Sequence, residues 1–128
     1  MSEINRPSRL VLIRHAESQR NEAKKGSVYF ADDEARARIK GIPDYKVPLT
    51  SAGHEQAHKT GTKVRELFGV PDYLYHSGYC RTMETAEDIL SAYTLGERGR
   101  INVRMNPFIR ERDSGHAYDM TQQEAEAA

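Results

Sequence analysis

Tryptophan is absent from the 128 residues, and cysteine occurs once, at Cys80. A single cysteine excludes an internal disulfide framework and points, weakly, to a reducing compartment. No long apolar run is present; the longest is Leu10–Ile13, far short of the ~20 residues of a membrane span. The N-terminus MSEINRPSRL lacks the apolar core of a signal peptide. The expectation is a cytoplasmic protein with no membrane partner. Net charge is also missing: 19 Lys and Arg balance 19 Asp and Glu. That removes the main electrostatic argument for a nucleic-acid partner. Apolar side chains are scarce too, at 38% counting tyrosine and cysteine. So little apolar material implies a marginal domain or a piece of a larger one.

The charge that is present is unevenly placed. Residues 1–64 carry 12 basic and 8 acidic side chains, and no Lys or Arg follows Arg112. Local pattern then suggests the elements. Arg9–Arg14 reads RLVLIR, a short continuous apolar run that suits a strand buried on both faces. A polar stretch from His15 opens a helix through Asn21–Lys25, and residues 32–39 suit one or two solvated helical turns. Gly41, Pro43 and Pro48 make a loop. Thr50 or Ser51 caps a helix that Gly69 stops, with Ala57, Val64, Leu67 and Phe68 as its apolar face. Residues 71–77 form a second strand candidate, 80–93 the clearest helix, and 101–106 a third strand. Thr121 and Glu124 make a capping box for a last helix, which runs to the chain end without a C-cap. Strand–helix alternation predicts an α/β three-layer sandwich, its mostly parallel sheet flanked by helices and incomplete at the C-terminus.

In open α/β sheets, ligands bind beyond the carboxyl ends of the strands. Three polar clusters follow the three strands: Arg14 to Ser18, Ser77 to Thr82, and Arg110 to Asp113. They bring guanidinium groups, an imidazole and a carboxylate together. Arginines in a crevice suit an anion with tetrahedral or planar oxygens, phosphate above all. A neutral imidazole is a nucleophile, and a carboxylic acid across the site can protonate a leaving oxygen. Each residue alone has a plainer reading: Arg14–His15 as a surface pair, Arg81 as a solvated helix start, Glu111 as part of a surface charge ladder. His54 and His58 stand four apart on a helix with no third ligand in sequence, and read as solvated rather than as a metal pair. His76, at a strand end, is a candidate pocket lining; the role of His116 is open.

Four segments taken together resemble the histidine phosphatase, or phosphoglycerate-mutase-like, superfamily. LVLIRHAESQRN (10–21) resembles its opening strand followed by Arg-His-Gly-Glu-Ser and a later Asn. VPLTSAGHEQA (47–57) is similar to its Pro-Leu-Thr-x-x-Gly-x-x-Gln-Ala block. HSGYCRTMETA (76–86) resembles its Ser-x-x-x-Arg-x-x-x-Thr-Ala block, and RERDSG (110–115) its Glu-Arg-x-x-Gly block. Ala16 stands where glycine is common.

The resemblance implies the following roles. His15 takes the phosphoryl group, Arg14 and Arg81 hold its oxygens, and Ser18 and Asn21 line the phosphate pocket. Glu111 is the proton donor. Thr85 and Ala86 pack the helix behind Arg81, and Thr50 and Gly53 start the helix before it. The expected activity is metal-independent hydrolysis of a small phosphorylated substrate through a phosphohistidine, with no cofactor. A mutase that returns the phosphoryl group is the alternative, as is an inactive fragment that binds a phosphorylated ligand or a partner. The stretch 22–48 is expected to lie over the pocket. The family's second histidine has no match here, since His116 follows Glu111 too closely. Residues 1–128 are therefore expected to be the N-terminal part of such a domain, cut before that histidine. Its oligomeric state stays open.

Overall fold

A computed structural model describes residues 6–25, 27–111 and 119–127. Among the described residues, six helices and two strands follow one another in the order α1 (Gln19–Lys24), α2 (Asp33–Ala37), α3 (Ser51–Phe68), β1 (Tyr73–His76), α4 (Cys80–Leu90), α5 (Leu95–Arg98), β2 (Asn102–Met105) and α6 (Gln122–Ala127). Short 3-10 turns cover Asp44–Lys46 and Pro107–Ile109. The strands pair in parallel, with Tyr73 opposite Asn102 and His76 opposite Met105. A crossover containing α4 and α5 joins them, as a parallel pair requires. The fold class is α/β: helices flank a small parallel sheet that does not close.

Caps set the helix limits. Thr50 Oγ1 accepts the Gly53 N–H at 3.0 Å, and Gly69, at φ 72°, ends α3 with its N–H on the Arg65 carbonyl. A cap of the Thr50 kind is worth ~1 kcal/mol. Thr121 and Glu124 make the expected capping box on α6. Thr94 and Glu97 make another on α5, a helix that Gly96 and Gly99 hide in the sequence.

The contact face of α3 matches the expected one only in part: Ala57 is buried and Val64 half-buried, but Leu67 and Phe68 are not in it. Gly53, Ala57 and Gly61 are buried, while Leu67 and Phe68 are exposed. Small residues at intervals of four let α3 approach its neighbours closely. A Cβ on Gly61 would stand 2.7 Å from Ile89 Cα, so α3 and α4 touch almost backbone to backbone. Behind α4, Ile89, Leu90, Tyr93 and Ile101 form one apolar cluster, with Val70, Leu74 and Ala92 against it. A second cluster holds Ala23, Phe30 and Ile39. Phe30 is fully buried there, under the cations of Arg20 and Lys24 at 5.9 and 5.0 Å from its ring centre.

The first expected strand does not form. Residues 9–14 have no ladder partner, and the run expected to be buried on both faces is exposed, Leu12 at 86%. A strand needs a neighbour for its N–H and C=O groups, and the β1–β2 pair does not extend to this segment. Exposure still alternates along it, higher at Leu10 and Leu12 than at Val11 and Ile13, which is the signature of extended backbone.

Candidate active site

Three loop ends meet although one of the expected strands is missing. His15 lies ahead of α1, Arg81 in the first turn of α4, and Glu111 beyond the turn that follows β2. The His15 side chain is 7% exposed, and its Nε2 stands 3.3 Å from Glu111 Oε1. Arg81, 5% exposed at its side chain, brings Nη2 to 3.7 Å from Glu111 Oε2. The other imidazole nitrogen, Nδ1, donates to the Ala16 carbonyl at 2.7 Å. A carbonyl only accepts, so this bond sets the proton on Nδ1. In the neutral ring the lone pair is then on Nε2, facing Glu111.

The scaffold for this pair is Thr85. Its hydroxyl accepts the Ala16 N–H at 3.1 Å and donates to the Arg81 carbonyl at 2.7 Å. One buried side chain thus ties the backbone beside His15 to the helical turn that carries Arg81. On the far side, Glu17 fixes the start of α3: its carbonyl accepts the Thr50 N–H at 3.0 Å, and its carboxylate accepts the Thr50 hydroxyl at 2.8 Å.

Ser18 and Asn21 take up a structural task. Ser18 is the N-cap of α1; its Oγ accepts the Asn21 N–H at 3.2 Å and donates to Asn21 Oδ1 at 2.9 Å. The Ser18 N–H also donates to Asn21 Oδ1, at 3.0 Å. The two residues serve each other. Arg14 is exposed and forms no ion pair with any described residue. His76 Nδ1 accepts the Gly78 N–H at 3.1 Å and shapes the turn after β1. Residues 112–118, including His116 and most of the RERDSG segment, lie outside the described residues.

His54 and His58 are not simply solvated. His54 Nδ1 stands 2.6 Å from Asp88 Oδ2, and His58 Nε2 stands 3.4 Å from Asp88 Oδ1. They face carboxylates across the α3–α4 contact, which periodicity on one helix cannot reveal. Among the described residues, no three or more His, Cys, Asp or Glu side chains are grouped so as to hold a metal ion.

Sequence reasoning missed three residues here. Asp44 reaches Arg81: its Oδ1 accepts from Nη1 at 3.0 Å, and its Oδ2 lies 3.5 Å from Nη2. Arg20, buried, places Nε 3.7 Å from Asp44 Oδ1 and makes a 2.5 Å ion pair with Asp119. Tyr79 carries two guanidinium groups over its ring, Arg81 at 4.9 Å and Arg110 at 5.0 Å from its centre. Arg110 Nε also donates to the Ser77 carbonyl at 2.9 Å. No motif marks Asp44, which lies in the patternless stretch after α2.

Cys80, beside Arg81 in sequence, has its thiol pushed above the ordinary range, first by burial and then by the nearby Glu84 carboxylate. It therefore stays protonated at neutral pH and is a poor nucleophile. A cleft of about 370 Å³ opens nearby, lined by Glu17, Gln19, Glu22, Arg38 and the start of α3. It includes none of His15, Arg81 and Glu111, and two carboxylates line it. Its one lining cation is Arg38, whereas at the His15–Arg81 corner the guanidinium is buried. No helix among the described residues is long and apolar enough to cross a membrane.

An imidazole with an oriented lone pair, a buried guanidinium and an exposed carboxyl are the equipment of phosphoryl chemistry at histidine. Comparison with known proteins agrees: the profile of the histidine phosphatase superfamily (branch 1) matches residues 10–128, and the chain belongs to that superfamily. It is 32% identical over 120 residues to the phosphoglycerate mutase-like protein AT74H of Arabidopsis thaliana, covering 86% of this chain and 38% of that one. A second Arabidopsis thaliana relative, the phosphoglycerate mutase-like protein AT74, is 32% identical over 117 residues, covering 86% and 33%. The chain thus spans about a third of the length of these relatives. In fold it is similar to the crystal structure of a candidate phosphohistidine phosphatase, SixA from Agrobacterium tumefaciens. The TM-score is 0.50 at 18% identity, over 73% of this chain and 47% of that one.

Proposed function

We propose that the protein is a metal-independent phosphatase that works through a phosphohistidine at His15 on a small phosphorylated substrate. The observation that carries this reading is the imidazole geometry. Nδ1–H is held on the Ala16 carbonyl at 2.7 Å while Nε2 faces Glu111 Oε1 at 3.3 Å. In-line attack puts the leaving oxygen opposite Nε2, so phosphorus enters along the lone pair where Glu111 Oε1 now stands, and the exposed carboxyl swings aside to meet the leaving oxygen.

In the first step the Nε2 lone pair forms a bond to phosphorus as the ester P–O bond breaks. Glu111, entering as the carboxylic acid, gives its proton to the departing alkoxide or phenoxide oxygen. In the second step the Glu111 carboxylate takes a proton from water, whose oxygen attacks phosphorus and breaks the P–N bond. Inorganic phosphate leaves and the imidazole is restored. The Arg81 guanidinium neutralises charge on the phosphoryl oxygens, the main demand of phosphoryl transfer; Arg14, adjacent to His15, is the second cation. These cations take the charge role that a metal plays in other phosphatases. The carboxylate carries solvent exposure of 60% at its side chain, which gives water a path to it.

A mutase reading shares the first step and returns the phosphoryl group to a second substrate oxygen. It is supported by the names of the two Arabidopsis relatives, both phosphoglycerate mutase-like. The test is hydrolysis of an aryl phosphate in excess EDTA by the wild-type protein and by His15→Ala. Turnover is expected to survive the chelator and to vanish in the variant, along with acid-labile label from a labelled substrate. Label that persists without His15 would move the nucleophile elsewhere. Labelling with phosphate return to a sugar-acid substrate, and no net hydrolysis, would decide for the mutase. No labelling at all would leave the chain a binder.

A further inference from the structure

We propose that Asp44 is a built-in counter-anion seated where the substrate's phosphoryl oxygens must bind, so that ligand enters by displacing it. This rests on Arg81 being the phosphate-binding arginine of the reading above.

The donor count on Arg81 carries the inference. One Nη1–H goes to the Asp44 backbone carbonyl at 3.0 Å, and the other to Asp44 Oδ1, also at 3.0 Å. Nη2 faces Asp44 Oδ2 at 3.5 Å and Glu111 Oε2 at 3.7 Å. The two-pronged edge with which a guanidinium grips a phosphoryl group is therefore filled by a carboxylate. A carboxylate presents two oxygens at nearly the spacing of two phosphoryl oxygens, so it is a fair imitation of the ligand. Arg20 Nε stands 3.7 Å from the same Oδ1, so two buried guanidinium groups converge on this one anion.

The two sides of the contact are held very differently. Arg81 is 4% exposed and belongs to α4, whose first turns are tied down by Thr85. Asp44 is 37% exposed at its side chain and sits in a single 3-10 turn. That turn is closed by two backbone bonds, Lys46 N–H to the Pro43 carbonyl at 2.9 Å and Val47 N–H to the Asp44 carbonyl at 3.2 Å. Competition for Arg81 is thus resolved by movement of the turn, not of the helix. A phosphomonoester dianion carries more charge to the two cations than a carboxylate does, and can take its place. The apparent affinity for phosphate falls by the fraction of molecules in which Arg81 is already occupied.

A permanent positioning anion would make the same contacts, and the two roles give opposite results on removal. Inorganic phosphate is titrated calorimetrically into the purified wild-type protein, Asp44→Asn and Arg81→Ala. The expected result is phosphate binding about tenfold tighter in Asp44→Asn, on the occupancy argument, and lost in Arg81→Ala. Binding that is unchanged or weaker in Asp44→Asn, with Arg81→Ala still losing it, overturns the counter-anion and leaves the phosphate site standing. Binding that does not depend on Arg81, or is absent from both wild type and Asp44→Asn, overturns the phosphate site and the counter-anion together. Hydrogen exchange in the wild type keeps the proposal testable if Asp44→Asn fails to fold. Phosphate should speed exchange at the Lys46 and Val47 amides as the turn is displaced. Slower or unchanged exchange with phosphate bound overturns the proposal.

Discussion

The Thr85 hydroxyl sits 3.1 Å from the Ala16 backbone nitrogen, across 69 positions of sequence. Since it also donates to the Arg81 carbonyl at 2.7 Å, Thr85 sets the spacing between the nucleophile candidate and the phosphate-binding candidate. Thr85→Val keeps the shape and removes both bonds, leaving the Ala16 N–H without its partner. The expected loss is ~1–3 kcal/mol in urea unfolding, with kcat lowered more than KM is raised. Thr85→Ser should recover most of both. Wild-type stability in the valine variant would show that water replaces the hydroxyl.

Gly53 is the most crowded of the described glycines. A Cβ there would stand 2.2 Å from the Glu17 carbonyl oxygen, a rigid backbone atom two residues from His15. Helix propensity alone predicts that Gly53→Ala stabilises α3 by up to ~1 kcal/mol. The contact predicts the reverse, a loss of ~1–3 kcal/mol from overpacking. Thermal melting separates the two by sign. Turnover should fall as well, because the displaced backbone carries the imidazole.

Cys80 is the rival nucleophile by position, and its raised pKa argues against it. A raised value means less thiolate at neutral pH, so alkylation by iodoacetamide should be slow there. The rate should climb only above the ordinary thiol range, as followed by intact mass between pH 6 and 10. Cys80→Ser should keep turnover. Rapid alkylation at pH 7 that also abolishes activity would reinstate the thiol.

Glu111 is assigned the acid role, and the leaving group tests it. Glu111→Gln keeps the size and removes the proton. With alkyl phosphates, whose leaving oxygens need protonation, kcat should fall ~10²–10⁴-fold. With a nitrophenyl phosphate, which leaves unaided, the loss in the first step should be far smaller. Equal losses for both substrates in that first step, read as kcat/KM or the burst rate, would argue against general-acid help.

Most of the secondary structure was legible because it rests on local chemistry. Thr50, Gly69, Thr121 and Glu124 act through bonds within a few residues, and sequence spacing shows them directly. The strand expected at residues 9–14 failed for the complementary reason: apolar composition says nothing about whether a neighbouring strand is in place to pair with it. The C-terminal half of the α3 face, Leu67 and Phe68, departs from the expectation on similar grounds. Leu67 and Phe68 are the larger apolar groups, yet the close approach of α4 selected Gly53, Ala57 and Gly61. Helix–helix distance is a property of two elements at once.

His15, Arg81 and Glu111 could be named from the sequence, since each belongs to a short run of fixed spacing that the superfamily shares. Residue type and order determine the chemistry available: one imidazole, guanidinium groups and a carboxyl. Only the tertiary structure decided which nitrogen of His15 carries the proton, through the Ala16 carbonyl, and that Asp44 occupies Arg81. Asp44 and Arg81 are 37 positions apart. A contact between charged groups so separated depends on the path of the whole intervening chain, and no local pattern encodes that path.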